Sequence, residues 1–259
     1  MNLTEKPLEN LVQNGGFARI FKSVACVGDS LSSGEFESIK EDGTKGYYDM
    51  FEYSWGQVMG RTIGAKVYNF SRGGMTAREY VESYADLKGF WDEEKKCQAY
   101  IFALGVNDTG REVKGSVSDI CLSDYRQNGK TFVGYYASII QRYKEMQPRA
   151  RFFLVTMPRD LRVGEERVNK FYDFNVEIRK MAEMFDNTYL IDLEKYAPVF
   201  DEEFVETYFM GGHMSPAGYV WMADTITSYI DYIIRHNMKD FKDIGFIGTD
   251  IKGSETCGR

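Results

Sequence analysis

The stretch Val24-Ala25-Cys26-Val27-Gly28-Asp29-Ser30-Leu31 decides how this chain is read. Its four leading residues are small and apolar, as in a strand buried on both faces, and they deliver Gly28-Asp29-Ser30 to the strand's end. Open parallel sheets bind ligands in the crevice beyond the carboxyl ends of their strands, so a hydroxyl at Ser30 faces that crevice rather than the core. The plain alternative is a serine that caps the helix or turn that follows. Position alone does not separate a cap from a nucleophile.

Outward from this strand, short apolar runs alternate with longer helical patterns. Strands are expected over 23–28, 66–70, 99–104, 151–157 and 188–193, and helices over 49–63, 76–90, 132–146, 165–185 and 216–236. The last helix carries Val220, Ala223, Ile226, Ile230 and Ile233 on one face, with Ser215 as its N-cap and Pro216 in its first turn. Such alternation predicts an α/β protein with a central five-stranded parallel sheet. Residues 110–130 are polar, contain Gly110, Gly115 and Gly129, and have no clear period. They leave the sheet at the same edge as Ser30 and are expected either as part of a substrate-side wall or as a surface insertion. The polar stretch 237–259 is expected to lie loosely over a single domain, residues 1–259, whose core spans about 20–236.

Composition narrows the functional classes. The 259 residues are 43% hydrophobic and 15% aromatic, enough for a substantial core. A net charge of −7 gives no long-range attraction to a nucleic-acid backbone, so no such partner is expected. Glu5, Glu9, Asn10 and Gln13 interrupt the N-terminal stretch, unlike the apolar run of a signal peptide, and no segment approaches the roughly 18 apolar residues of a membrane span. A soluble, cytoplasmic protein without a membrane partner is expected. Cys26, Cys97, Cys121 and Cys257 form no Cys-x-x-Cys pair; Cys26 and Cys97 read as small core residues.

Three further blocks fall at strand or helix ends: Asn69-Phe70-Ser71-Arg72-Gly73-Gly74-Met75-Thr76, Gly105-Val106-Asn107-Asp108, and Gly211-Gly212-His213-Met214-Ser215-Pro216. In a parallel sheet all of them meet Ser30 at one edge. Acyl transfer needs a nucleophile, a base to take its proton, and donors aimed at the developing oxyanion. Ser30 supplies the first and His213 the second. The backbone amides of Ser30 and Gly74 with the Asn107 side chain supply the third.

This ordered set resembles the SGNH hydrolases, also called the GDSL esterase/lipase family, from Gly28 to about Tyr219. In that family the serine of the first block is the nucleophile, a glycine and an asparagine from the next two blocks complete the oxyanion hole, and a late histidine is the base. Ser30, Gly74, Asn107 and His213 fall on those positions. The resemblance implies a flavodoxin-like, three-layer α/β/α sandwich and a metal-free, cofactor-free esterase or related acyl hydrolase.

The chain departs from the family where an aspartate commonly stands three residues before the histidine, a place held here by Met210. Without an acceptor on its second nitrogen, the imidazole loses what fixes its tautomer and stabilises its cation. A backbone carbonyl from Met210-Gly211-Gly212 is the expected replacement, with Glu206 and Asp201 the nearest carboxylates in sequence. The second histidine, His236, reads as a solvated helix terminus.

Competing chemistries lack their motifs. The chain has no Gly-x-Ser-x-Gly, no Ser-x-x-Lys and no His-Glu-x-x-His, and Gly129-Lys130-Thr131 lacks the upstream glycine of a P-loop. The remaining rivals are a fold relative that binds a ligand without turnover, and a lysophospholipase- or thioesterase-type acyl hydrolase. Tyr47, Tyr48, Trp55, Arg72, Arg78, Arg159 and Arg162 are candidates to line a pocket for a polar ester, Trp55 reading more naturally as core. The segments at the strand ends are polar, which disfavours a long acyl channel. A small-molecule or glycan ester with a short, acetyl-like acyl group is the expected substrate.

Overall fold

The structure is a computed structural model that describes residues 4–251, so Cys257 and the end of the expected C-terminal tail lie outside the described residues. In chain order, β1 (Ser23–Gly28) leads into α1 (Ser30–Ser33), then β2 (Glu35–Ile39), β3 (Lys45–Asp49), α2 (Trp55–Ile63) and β4 (Lys66–Ser71). Next come α3 (Ala77–Glu79), a π turn over Tyr80–Tyr84, α4 (Ala85–Leu87), β5 (Ala99–Ala103), α5 (Phe132–Met146), β6 (Arg151–Val155), α6 (Glu165–Met184) and β7 (Thr188–Ile191). The chain finishes with α7 (Leu193–Tyr196), α8 (Glu202–Tyr208), β8 (Phe209–Met210), β9 (His213–Met214), α9 (Pro216–His236) and α10 (Met238–Phe241).

Five of these strands form one parallel sheet in the order β4-β1-β5-β6-β7. Alternation along each strand sorts side chains onto two faces. Ala25 and Val27 of β1, Tyr100 and Phe102 of β5, and Phe152 and Leu154 of β6 pack with α3, α5 and α6 on one face. Val24, Cys26, Ile101 and Phe153 pack with α2 and α9 on the other, where Trp55 is buried. The expected three-layer α/β/α sandwich is therefore present. Cys26 and Cys97 are buried, while Val220 faces solvent rather than joining Ala223, Ile226, Ile230 and Ile233 in the core.

Three segments differ from the sequence expectation. Residues 49–54 do not extend α2, because Lys45–Asp49 pairs antiparallel with Glu35–Ile39 as a separate hairpin. Residues 110–130, of which Gly110 and Arg111 line a groove next to the Ser30 cavity, are not a loose insertion but are tied down by polar side chains. The Asp119 carboxylate accepts from Ser116 N at 3.1 Å and Thr131 Oγ1 at 2.8 Å, and Asn128 donates to Ser138 and Gln141 of α5. A Cβ on Gly134 of α5 would collide with the Gly129 carbonyl, so loop and helix touch at backbone distance. Finally, Phe241, Ile244 and Ile247 are buried in the α9-side core, so this part of the C-terminal stretch is packed rather than loose. Their spacing of three suits a short helical wrap.

β1 must end where it does. A Cβ on Gly28 would collide with Ser32 Oγ of α1 and stand 3.1 Å from the Ala103 carbonyl of β5. Gly28→Ala is expected to lower stability by about 1–3 kcal/mol through overpacking. Urea denaturation of the two proteins checks this, and an unchanged midpoint would show that α1 can yield.

Candidate active site

Ser30 is the first residue of α1, and Asp29 is the cap: its Oδ1 accepts from Leu31 N at 3.1 Å, and its carbonyl accepts from Ser32 N and Ser33 N. The aspartate thus engages the amides of Leu31, Ser32 and Ser33, leaving the Ser30 amide outside that set at the start of the helix. The capping is done by Asp29 and not by Ser30, so the cap reading of the serine does not hold. Asp29 is 2% exposed, and burial pushes its carboxyl up to about 7.

Parallel register carries the next two blocks to the same edge. Gly28 lies opposite Ser71 of β4 and Ala103 of β5, so the turns after those strands flank Ser30. Gly74 has φ +70°, a conformation that favours glycine, and its carbonyl accepts from Arg111 Nη1 at 2.8 Å. Asn107 Nδ2 donates to the Met75 carbonyl at 3.1 Å and more weakly to Asp29 Oδ2 at 3.4 Å. One amide of Asn107 thereby joins all three blocks. Beneath it, fully buried Asp108 accepts from Ala77 N at 2.8 Å through Oδ1, while Oδ2 has no hydrogen-bond partner among the described residues. Burial pushes this carboxyl up to about 7 as well.

His213 pairs with Met210 across the β8–β9 hairpin, just before Ser215 caps α9 by accepting from Gly218 N at 3.1 Å. Ser30, Asn107 and His213 line one cavity of about 290 Å³, with Asp29, Gly212, Arg162 and Arg167 also in its wall. The expected carbonyl partner for His213 is not there. Nδ1 is buried without a hydrogen bond, and the nearest acceptor recorded for it is Glu37 Oε2 at 3.8 Å, while Nε2 stands 3.0 Å from Glu35 Oε1. Neither C-terminal candidate takes the position, because Asp201 caps α8 through Phe204 N and Glu206 is exposed. Both nearby carboxylates come from β2, whose alternate residues Glu35 and Glu37 point to the same side.

Glu37 is 8% exposed and held from two directions, by Lys45 Nζ at 2.5 Å and by Gly212 N at 2.8 Å. Lys45 and the Gly212 amide keep its carboxyl below the usual range, so it is charged. Glu35 lies against Gly73, where a Cβ would collide with Oε2; burial and the charge of Asp49 raise its carboxyl. For His213, burial outweighs the attraction of Glu37 and lowers the imidazole below its ordinary value. The ring is therefore neutral at pH 7, as a general base must be.

Of the remaining candidates, Tyr47 meets the His213 ring edge-on at 5.8 Å, and Arg162 lines the cavity while pairing with Asp160 at 2.6 Å. Arg72 and Arg78 are paired with Glu79 and Glu112, away from the cavity wall. Tyr48 and Arg159 are exposed outside it. His236 is half-buried, with Nδ1 2.8 Å from the Tyr232 carbonyl, rather than fully solvated. Among the described residues no three histidine, cysteine or carboxylate side chains are grouped so as to hold a metal ion, and no helix is long and apolar enough to cross a membrane.

A model of the GDSL-like lipase/acylhydrolase family matches residues 26–221, about three quarters of the chain. The chain belongs to that family. Membership makes this protein an ester hydrolase by class. No curated protein sequence matches it. Among solved structures it is similar to a family two carbohydrate esterase from Clostridium thermocellum in complex with cellohexaose, with 15% identity and a TM-score of 0.58 over 91% of this chain and 66% of that one. It is also similar to Est24, a carbohydrate acetylesterase from Sinorhizobium meliloti, with 13% identity and a TM-score of 0.57 over 82% and 99% of the two chains. A third likeness is to the acetyl xylan esterase AlAXEase, with 18% identity and a TM-score of 0.51 over 80% and 99%. These are likenesses of fold.

Sequence reading missed Glu35 and Glu37. The available signal was the Asp42-Gly43 turn between two short β-prone runs, a hairpin signature, with Gly43 at φ +81°. The buried acids carry their own prediction. A carboxyl raised from about 4 to about 7 favours the folded state most below the unfolded value and loses that contribution as pH rises through the folded one. Asp108→Asn keeps the acceptor for Ala77 N and carries no charge. The melting temperature of the variant should therefore gain on that of the parent between pH 4.5 and pH 8; a constant difference would mean that Asp108 is not protonated in the fold.

Proposed function

We propose that this family member hydrolyses a short-chain acyl ester of a carbohydrate or similar polar alcohol, with Ser30 as nucleophile and His213 as general base. The observation that carries this reading is the shared cavity, in which Ser30, Asn107 and a neutral His213 converge. Ser30 attacks the carbonyl carbon as its proton passes to His213 Nε2. The oxyanion is held by the Ser30 and Gly74 amides and by Asn107 Nδ2, which gives up its weak 3.4 Å bond to Asp29. His213 then protonates the departing alcohol, and water repeats the sequence on the acyl-enzyme. Nε2 faces Glu35 in the free protein, so this scheme has Nε2 exchange Glu35 for Ser30 Oγ as substrate enters, with the single proton of the neutral ring on Nδ1 toward Glu37 so that Nε2 is open to accept. Glu37, charged and fixed beside Nδ1, orients the ring and stabilises its cation, the task Met210 cannot perform.

Acyl size is argued from a second hollow beside Asp29 and Leu31. It is lined mainly by apolar groups, among them Trp55, Leu104, Met157 and Met222, and its volume is about 50 Å³. That is a few times the roughly 10–15 Å³ that holds one water. An acetyl methyl fits and a long chain does not. The acetyl and carbohydrate esterases with the same fold are consistent with this choice.

The test is hydrolysis of p-nitrophenyl esters from acetate to decanoate by the parent protein, Ser30→Ala and His213→Ala. The acetate should be preferred, and each substitution should lower kcat by a factor of about 10³ or more. Equal rates in all three proteins would favour the reading of a ligand binder without turnover, and preference for decanoate would favour a lipid acyl hydrolase. Glu37 has a separate signature. Glu37→Gln removes an interaction that favours the imidazolium, so the acid limb of kcat/KM, already below about pH 6.5, should move lower still as kcat falls about 10–10³-fold. An unmoved limb would remove Glu37 from the scheme.

A further inference from the structure

Beside the cavity that holds Ser30, on the other side of Asn107, lies a groove of about 420 Å³ lined by Thr109, Arg111, Val163, Glu166, Arg167 and Lys170. Asn107, Val163 and Arg167 belong to both walls, so the two spaces adjoin. Lys170 and Glu166 neutralise each other at 3.0 Å. Arg111 and Arg167 have no carboxylate within ion-pair distance among the described residues.

Both arginines are instead anchored by backbone carbonyls of the site. Arg111 Nη1 donates to the Gly74 carbonyl, and its guanidinium stands 3.8 and 3.9 Å, through Nη1 and Nη2, from where a Cβ on Gly74 would be. Arg167 Nη2 donates to the carbonyl of Val106, next to Asn107, at 3.0 Å, while its buried Nε has no partner. Each guanidinium has five N–H donors, and one fixed bond leaves a fork oriented for a planar or tetrahedral anion. Two such groups in one groove, in a chain of net charge −7, concentrate positive potential where the leaving alcohol would lie. The small apolar hollow beside Asp29 and Leu31, which shares no lining residue with this groove, has the contrary character.

We infer that the groove of Arg111 and Arg167 is a leaving-group subsite for an alcohol bearing an anion, a carboxylate or a phosphate. This rests on the ester hydrolase reading above and narrows its substrate to acylated acidic sugars or similarly charged alcohols. The arginines hold the anionic part of the alcohol and set the scissile oxygen between Ser30 and His213. They take part in binding, and the bond-making groups remain those already named.

The experiment compares phenyl acetate with its 4-carboxylate and 4-phosphate derivatives, in the parent protein and in R111Q/R167Q. Dividing kcat/KM for each charged ester by that for phenyl acetate, and then comparing the two proteins, cancels intrinsic ester reactivity and any general loss of activity. The ratio should fall tenfold or more in R111Q/R167Q, fall in the parent when salt rises from 50 to 500 mM, and recover only in part in R111K/R167K, which restores the charge without the fork. The ester with the larger fall identifies the anion. Turnover of phenyl acetate with a ratio unchanged within twofold would overturn the subsite alone, whereas silence toward all three esters in the parent would overturn the hydrolase reading beneath it. Calorimetric binding of 4-hydroxybenzoate and of inorganic phosphate gives a readout independent of turnover: binding in the parent that is lost in R111Q/R167Q supports the subsite, and equal binding or none in both overturns it.

Discussion

A buried carboxyl at the end of an inner strand, β1, organises this molecule. Asp29 caps α1 with one oxygen and meets Asn107 with the other, so the strand that ends at Gly28, the helix that starts at Ser30 and the turn after β5 are fixed by one side chain. Its burial in a place with few donors carries a cost that a solvated cap would not. The tight contact of Gly28 with Ser32 and Ala103 leaves the chain no other path around that carboxyl. Gly74 and Asn107 then take their places through register, because β4 and β5 flank β1 on either side.

The surroundings of His213 follow a different logic. In a block with an acid three residues before the histidine, the same turn would supply base and acid. Here the turn presents Met210 to solvent, and the carboxylates arrive from a hairpin inserted directly after α1. Glu37 is tied to that turn through the Gly212 amide and held from its own hairpin by Lys45, so the two excursions from the sheet brace each other. The resulting field is polarised, with carboxylates on the histidine side and, beyond Asn107, two guanidiniums held by backbone carbonyls rather than by carboxylates.

How much of this was legible in the sequence depended on whether the signal was local. β1, α5 and α9 were read to the residue, because a run of small apolar residues, an amphipathic stripe and a Ser-Pro start are each written in consecutive positions. Ser30, Gly74, Asn107 and His213 were legible as ordered blocks, and the sheet brings three of the four blocks together by simple parallel register. The histidine's carboxylates were not legible, since they lie some 175 positions upstream of it and meet it only through tertiary packing. The loop 110–130 looked structureless for a related reason. Its order comes from single polar side chains, Asp119 and Asn128, which leave no periodic trace.

The placement of those carboxylates also bears on the order in which the chain is made. Proposed nucleophile, proposed acids and oxyanion donors all lie within the first 107 residues, whereas the proposed base emerges after 212 others and is seated by the docking of α9. A growing chain therefore carries a serine with no partner to take its proton for more than a hundred residues of synthesis. In the proposed scheme the hydroxyl has no base until α9 closes the far layer, so reactivity would be a late product of folding and its own sign that the layers have closed.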